Sequence, residues 1–370
     1  MSDCYIALDI GAGRGVKIGL FSPQKEILAE SLFPIHQYAE KFEQFVADLS
    51  DTIDKAVRSS GRNPLAIGIS APGILSSTGA FQLFQNCPQY NGHNLKISLS
   101  QALNLPTEIE NDANTGALAE WSVLKMELLY WVFGGGWGGA WISREGKILH
   151  PSHDWDGVDS SLHPTNEPGY SIGLAKWQLK SFFNQVNASF ELFESNLEDE
   201  ELPSTLLTGP LGNPDTLRAE LILSGPGRCR LFRAVVGNDD FYTQFLDIHE
   251  FKEMTDPSVA GQHISKLSRM RVESAINTDR LYGKILAEAS RILLKRAESD
   301  GLSPGSPICL GGKPSYALPY FGPSAQRLLG KMGFMYYLRP SVIDERGSNA
   351  NMIGALVLAE RALEGISSTL

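Results

Sequence analysis

The chain has 370 residues, enough for two domains with their own cores, and its 42% hydrophobic and 20% charged composition is that of a globular protein rather than a disordered or membrane one. A formal net charge of -10 argues against non-specific nucleic-acid binding, which needs clustered Lys and Arg against phosphates. No apolar run is long enough to span a bilayer, and the N-terminal Met-Ser-Asp-Cys-Tyr-Ile lacks the basic-then-apolar pattern of a signal peptide, so no membrane partner and a cytoplasmic location are expected. Cys4, Cys87, Cys229 and Cys309 are far apart and form no CxxC pair, as reduced cytosolic thiols would be. Asn187-Ala188-Ser189 is a chance sequon on this reading.

In chain order, Tyr5 to Asp9 is a short apolar strand, Gly11, Gly13 and Gly15 break it, and apolar runs return at Val16 to Phe21 and Glu26 to Phe33. That is a β-meander, not a βαβ unit. Phe42, Phe45, Val46, Leu49, Ile53 and Val57 repeat at helical spacing within Tyr38 to Ser59, and Gly61 ends the helix. Strands follow at Leu65 to Ile69 and Thr107 to Ile109, then a helix at Asp112 to Leu124 with Asn111 or Asp112 near its start. A second strand, glycine turn, strand pattern runs from Leu128 to Phe133, through Gly134 to Gly139, to Ala140 to Ser143, with a further short strand at Lys147 to Leu149. Residues from His150 to about Arg280 read as irregular. An amphipathic helix over Leu281 to Glu298, a strand over Pro307 to Leu310, a helix over Tyr316 to Met332, a strand over Phe334 to Leu338 and a helix over Asn351 to Leu363 close the chain. This gives an N-terminal lobe at 1–125, to which 347–370 return, and a C-terminal lobe at 126–346 with an irregular insertion at about 150–280.

Four segments carry candidate chemistry. Asp9-Ile10-Gly11-Ala12-Gly13-Arg14-Gly15 joins two strands; its glycines let backbone N–H groups approach phosphate, and Asp9 can hold a hydrated Mg²⁺. An ordinary glycine hairpin is the alternative. No Walker Gly-Lys-Ser/Thr follows, and a strand stands where a Rossmann helix would begin. In Gly134-Gly135-Gly136-Trp137-Gly138-Gly139, five glycines in six positions suggest a second phosphate cradle facing the first. Glu110-Asn111-Asp112-Ala113-Asn114 places a carboxylate at a strand-to-helix junction, where it either accepts a proton from a hydroxyl or caps the helix. Gly311-Gly312-Lys313 either lets a purine lie against the backbone or simply turns a strand into a helix.

Taken in order, these segments resemble the ROK family (repressors, open reading frames and sugar kinases). The resemblance rests also on Ile69-Ser70-Ala71-Pro72-Gly73, Asn86-Cys87-Pro88 with Asn91-Gly92, Glu167-Pro168-Gly169-Tyr170 and Asn351-Met352-Ile353-Gly354-Ala355. It implies an α/β, two-domain actin-like ATPase (ribonuclease H-like) fold with a cleft between the lobes, and ATP-dependent phosphorylation of a sugar or sugar-like hydroxyl. It further implies Asp112 as general base, and Gly73, Asn86, Asn111, Glu167 and Tyr170 around the sugar. ATP and Mg²⁺ would lie against Asp9, Gly11, Ala12, Gly13, Arg14, Gly134, Gly135, Gly136, Gly311 and Gly312, with Asp9 reaching the metal through water. A homodimer is implied by the same analogy.

Departures from the family pattern accompany these matches. Ala12-Gly13-Arg14-Gly15 replaces the usual Gly-Thr and basic residue and is one residue longer, closer to a rhamnulokinase-like branch. Gly135 stands where a Thr is usual, Lys313 where a third glycine is usual, and Tyr170 where a His is usual. The cysteine cluster that binds structural zinc with that His is missing, so no family-type zinc is expected, and the sugar-site Glu attached to that cluster is not located. His150, His153, Asp154, Asp156, Asp159 and His163 form a polar segment with the side chains of a metal site but no ligand spacing of a known one. With the first strand starting at Tyr5, the helix-turn-helix domain of the family's repressors is not expected. A catalytically weak or inactive sugar and nucleotide sensor of the same fold is the alternative to a kinase acting on a hexose, amino sugar or cyclitol.

Overall fold

The computed structural model of the protein describes residues 2–11, 15–35, 41–76, 78–84, 87–149, 167–198, 200, 202, 207–237 and 257–365. They form two compact units: Met1–Tyr130 with Ala140–Leu149 and Val342–Leu370, and Trp131–Gly139 with His150–Ser341.

The first unit is built on a five-stranded sheet. Strand β1 (Asp3–Gly11) pairs antiparallel with β2 (Gly15–Phe21), and β2 with β3 (Ile27–Phe33). This is the meander read from the sequence. Helix α1 (Phe42–Ser60) leads into β4 (Asn63–Ala71), which lies parallel to β1. A small hairpin of β5 (Ile74–Leu75) and β6 (Phe81–Leu83) and helix α2 (Leu95–Leu103) precede β7 (Thr107–Asn111), parallel to β4. The strand order is β3-β2-β1-β4-β7.

The period-2 alternation of β1 sorts its side chains to two covers. Ile6, Leu8 and Ile10 pack in one core with Phe45, Leu49 and Ile53 of α1. Ala7 packs in another with Met352, Ala355 and Leu356 of the C-terminal helix (Ala350–Glu364). Close contact is enforced at Gly68 of β4, where a Cβ would stand 1.8 Å from the Ala355 carbonyl oxygen. The C-terminus thus completes the first unit. Gly61 ends α1 with φ 64°, the left-handed cap expected of glycine there.

Helix α3 (Asp112–Leu124) follows β7 directly. Glu120 is fully buried on it, and its carboxylate accepts the backbone N–H groups of Val342 and Ile343, which start the short helix Val342–Glu345. Then come β8 (Leu128–Phe133), β9 (Trp137–Ile142) and β10 (Ile148–Leu149). With β13 (Pro307–Gly311) and β14 (Tyr337–Pro340) they give a second five-stranded sheet, ordered β10-β9-β8-β13-β14, after the small pair β11 (Gly173–Ala175) and β12 (Thr216–Arg218).

The segment from residue 150 to 280 is less irregular than its sequence suggests. Its described part holds helices at Pro168–Ser171, Lys176–Asn184, Phe190–Glu198, Gly225–Val236 and Pro257–Arg269. Most are too short to build a visible helical period, and Phe183, Phe190 and Phe193 pack as an aromatic cluster instead. The long helix Glu273–Ser299 starts eight residues before the apolar pattern does. In its first turns Ala275, Thr278 and Asp279 are buried, and Asp279 pairs there with Arg228 at 2.7 Å and accepts from Ser268. Near the C-terminus a 3-10 turn (Lys313–Ala317) precedes the helix Leu318–Lys331, and β14 begins at Tyr337, later than the expected Phe334.

Candidate functional site

In the first unit the chemistry gathers at the carboxyl ends of three adjacent strands. The register sets Asp9 of β1 beside Ser70 of β4, and Ser70 and Ala71 beside Glu110 and Asn111 of β7. In open α/β sheets this is where ligands bind.

Asp9 is 9% exposed and held from two sides. Its Oδ2 accepts from Asn349 Nδ2 at 3.0 Å and its Oδ1 from Asn351 Nδ2 at 3.2 Å. Asn349 is also the N-cap of the C-terminal helix: its Oδ1 accepts from the N–H groups of Asn351 and Met352. One side chain therefore fixes both the helix start and the Asp9 carboxylate. The Asn351 motif was legible in the sequence, but its link to Asp9 spans the whole chain and was not.

Asn111 has an architectural role. Its Oδ1 caps α3 by accepting from Ala113 and Asn114 N–H, and its Nδ2 donates to the Gly73 carbonyl at 2.8 Å. Gly73 has φ 86°, and a Cβ there would stand 2.1 Å from the Leu83 carbonyl oxygen, so glycine is required. The N-cap role left open for Asn111 or Asp112 thus falls to Asn111. Glu110 is buried, accepts from Asn111 N–H and Asn114 Nδ2, and burial pushes its carboxyl above the usual range.

Asp112 is the first residue of α3 and is partly exposed. Burial of its carboxyl raises the pKa to about 6; the Ala113 N–H, bonded at 2.8 Å, pulls it down, and the negative charge of Asp9 pushes it up. A carboxylate with that proton affinity is chemically able to take a proton near neutral pH.

Gly11 closes β1 opposite Gly15. Ala12, Gly13 and Arg14, predicted at the phosphates, lie outside the described residues, as do Asn86 and the His150 to His163 segment.

In the second unit three glycine turns converge. The Gly225 N–H donates to the Gly134 carbonyl at 2.9 Å, which ties the β8–β9 turn to the first turn of the helix Gly225–Val236. Ser224 caps that helix by accepting from Gly227 N–H. Gly312 has φ 81°, and a Cβ there would stand 2.0 Å from the Phe133 carbonyl oxygen. The predicted Gly134, Gly135, Gly136, Gly311 and Gly312 are thus brought together, and they include a capped helix start, the combination that suits phosphate. Around Gly134 and Gly135 the space is open: a Cβ would meet nothing within 4 Å.

Glu167 is the N-cap residue of the short helix Pro168–Ser171, which also contains Tyr170. A further carboxylate, Glu220, was not found from the sequence. Its side chain abuts two glycines of this region: a Cβ on Gly136 would stand 2.9 Å from Glu220 Oε2, and one on Gly169 2.8 Å from Glu220 Cβ. Burial raises its proton affinity, against the positive charges of Arg218 and Arg230. No local signal marks it, since it sits among Leu217, Ala219 and Leu221 and gains meaning only from these contacts.

Known proteins resemble this chain in part of its sequence and in its fold. Residues 5–152 match the model of the ROK family. The N-acetyl-D-glucosamine kinase of Vibrio parahaemolyticus serotype O3:K6 is 28% identical over 149 residues, 39% of this chain and 48% of that protein. The xylose repressor of Caldicellulosiruptor bescii is 30% identical over 123 residues, 30% of each chain. The matched region thus spans about half or less of these relatives. Among solved structures, a ROK hexokinase from Thermus thermophilus superposes with TM-score 0.61 at 18% identity, over 98% of this chain and 99% of that one. A ROK family glucokinase from Streptomyces griseus, in complex with glucose and AMPPNP, gives TM-score 0.60 at 21% identity, over 97% and 99%. The sheet orders and these superpositions show that the chain takes the α/β fold of the solved ROK structures, and its residues 5–152 are similar to the ROK family.

Proposed function

We propose that this protein transfers the γ-phosphoryl group of ATP to a hydroxyl of a sugar or sugar-like acceptor, with Asp112 as general base. The observation that carries this reading is the state of Asp112: a carboxyl at the start of α3, next to the N-cap Asn111, with a pKa of about 6, beside an Asp9 held by two amides. Above pH 6 it is ionised, yet basic enough to take the proton of an attacking hydroxyl. Phosphoryl transfer asks little covalent chemistry of the protein and much positioning. Asn111 supplies that positioning by pinning the start of α3 to the Gly73 turn. On this reading the hydroxyl contacts fall to Asn111, Glu167, Glu220, Tyr170 and Asn86.

Asp9 suits a hydrated Mg²⁺, since each of its oxygens takes one amide hydrogen bond and offers a further lone pair to a metal-bound water. When bound, that ion supplies neutralisation of phosphate charge. In the second unit the turn at Gly134 to Gly136 and the capped start of the helix Gly225–Val236 offer backbone N–H groups to phosphate, and Gly311 and Gly312 a flat surface to adenosine. The Streptomyces griseus glucokinase, solved with glucose and AMPPNP, supports the pairing of sugar and nucleotide on this fold.

The test is a screen of ATP-dependent phosphorylation across hexoses, amino sugars and cyclitols with wild-type protein and Asp112→Asn. Turnover on at least one acceptor, abolished by the substitution with the fold intact, is expected; turnover that survives it removes the mechanism. A second reading, a sensor that binds sugar and nucleotide without transfer, is favoured by the hydroxyl missing at Gly135 and by the match to a xylose repressor. Tight ATP binding with no transfer to any acceptor in the screen would select it.

A further inference from the structure

Arg218 is 7% exposed. Burying a guanidinium is costly unless both its charge and its N–H groups are matched. One residue, 48 positions away in the chain, contributes to both. The guanidinium carbon lies 3.7 Å from the centre of the Tyr170 ring, and Nη1 donates to the Tyr170 carbonyl oxygen at 2.5 Å. A planar guanidinium can lay its face on a ring and aim an edge N–H at a carbonyl at once; an ammonium cannot.

The backbone around this grip is paired as well. Gly173 of β11 registers with Arg218 of β12, and the Ala219 N–H donates to the Ile172 carbonyl at 2.9 Å. Tyr170 lies three residues after Glu167, and Arg218 two residues before Glu220. The pair therefore joins the turn that carries one carboxylate to the turn that carries the other. The charge of Arg218 also reaches Glu220 and favours its ionised form.

We infer that Tyr170 and Arg218 are a positioning pair that sets Glu167 and Glu220 relative to each other and so fixes the acceptor-binding geometry of the second unit. This rests on the reading of Glu167 and Glu220 as acceptor contacts. Neither Tyr170 nor Arg218 performs a chemical step; the ring and the carbonyl of one answer the fork of the other, and the two carboxylates follow.

Two measurements on the full chain test this. The first is steady-state kinetics of Arg218→Leu and Arg218→Lys with the acceptor found in the screen. Arg218→Leu is expected to raise the acceptor KM roughly tenfold or more, as loss of a buried cation–π contact and a charged hydrogen bond would. The ATP KM should rise much less than the acceptor KM, and Arg218→Lys should fall between. A pair that only stabilises the fold would lower the melting temperature and leave both KM values in place, and that result overturns the inference, as would an equal rise in both. The second is amide hydrogen exchange, which needs no activity. Arg218→Leu is expected to speed exchange at residues 169–175 and 216–221 roughly tenfold or more, while Tyr170→Phe, which keeps ring and carbonyl, preserves protection. Unchanged exchange in Arg218→Leu sinks the inference. If wild-type protein transfers phosphate to nothing, the kinase reading fails by itself, and the exchange data still decide whether the pair couples the two turns. Should Arg218→Leu not fold, Arg218→Lys carries both measurements.

Discussion

Asp9 and Asp112 work against each other electrostatically: the charge of Asp9 adds to burial in raising the proton affinity of Asp112, while Asn349 and Asn351 keep the Asp9 carboxylate in place. The arrangement stores an unfavourable interaction where a base is wanted. Stability and activity are therefore expected to part at Asp112.

Asp112→Asn should lower phosphoryl transfer by about 10²–10⁴-fold, the span of a lost general base, and at the same time stabilise the fold at neutral pH. The sign follows from linkage. Between the ordinary carboxyl value of 3.8 and the folded value of about 6, the unfolded chain has released the proton that the folded chain retains, so stability falls as pH rises through this window and is level above it. The rise corresponds to about 1–3 kcal/mol, which the amide substitution recovers. Urea denaturation at pH 7.5 should show Asp112→Asn as the more stable protein, with the advantage gone near pH 4. A loss of stability at pH 7.5 would contradict the assignment.

The titration itself can be followed directly. In the nucleotide-free protein, carboxyl ¹³C resonances should place Asp112 at about 6, and Asp9→Asn should move it down by removing a neighbouring negative charge. Transfer activity should fall as the pH drops through the Asp112 value, because the protonated carboxyl accepts nothing. An upward move in Asp9→Asn would mean that the two carboxyls are not neighbours.

Asn349 and Asn351 separate a structural from a chemical contribution. Asn349→Ala removes a helix cap as well as a hydrogen bond to Asp9 and should cost about 1–2 kcal/mol in chemical denaturation. Asn351→Ala removes only the Asp9 contact from its side chain and should cost less than about 1.5 kcal/mol. Both should raise the Mg²⁺ concentration needed for half-maximal transfer. Equal stability losses would show that the cap contributes nothing.

The sequence makes some of this visible and hides the rest for physical reasons. The β1–β3 meander, α1 with its Gly61 stop and α3 are set by local periodicity and local caps, so Phe42 to Val57 and Asn111 can be read along the chain. Asp112 can be named as a carboxylate at a junction, but its proton affinity depends on burial and on Asp9, which the strand pairing of β1, β4 and β7 supplies. Asn111 can be named from the sequence as a cap or a sugar contact, but its bond to Gly73 depends on a turn 38 residues away. Glu220 and Arg218 carry no local pattern at all. Their neighbours Gly136, Gly169 and Tyr170 arrive through folding, and the short helices between them give no period to read.

The glycine turns of the second unit yield the sharpest contrast between a position closed to side chains and one left open. At Gly312 the backbone has φ 81° and a Cβ would lie 2.0 Å from the Phe133 carbonyl oxygen, so Gly312→Ala must displace main chain and should cost more than about 2 kcal/mol. At Gly135 a Cβ meets nothing within 4 Å, so a side chain fits without rearrangement. Gly135→Thr should leave stability within about 1 kcal/mol of wild type, as open positions do. Its hydroxyl would stand beside the turn read here as a phosphate cradle. One added hydrogen bond of about 0.5–1.5 kcal/mol lowers the ATP KM by roughly 2–10-fold. Thermal melting and ATP-dependent kinetics of both variants check this together. If Gly135→Thr folds normally and the ATP KM is unchanged or raised, the turn at Gly134 to Gly136 does not face phosphate, and the nucleotide must be placed elsewhere in the protein.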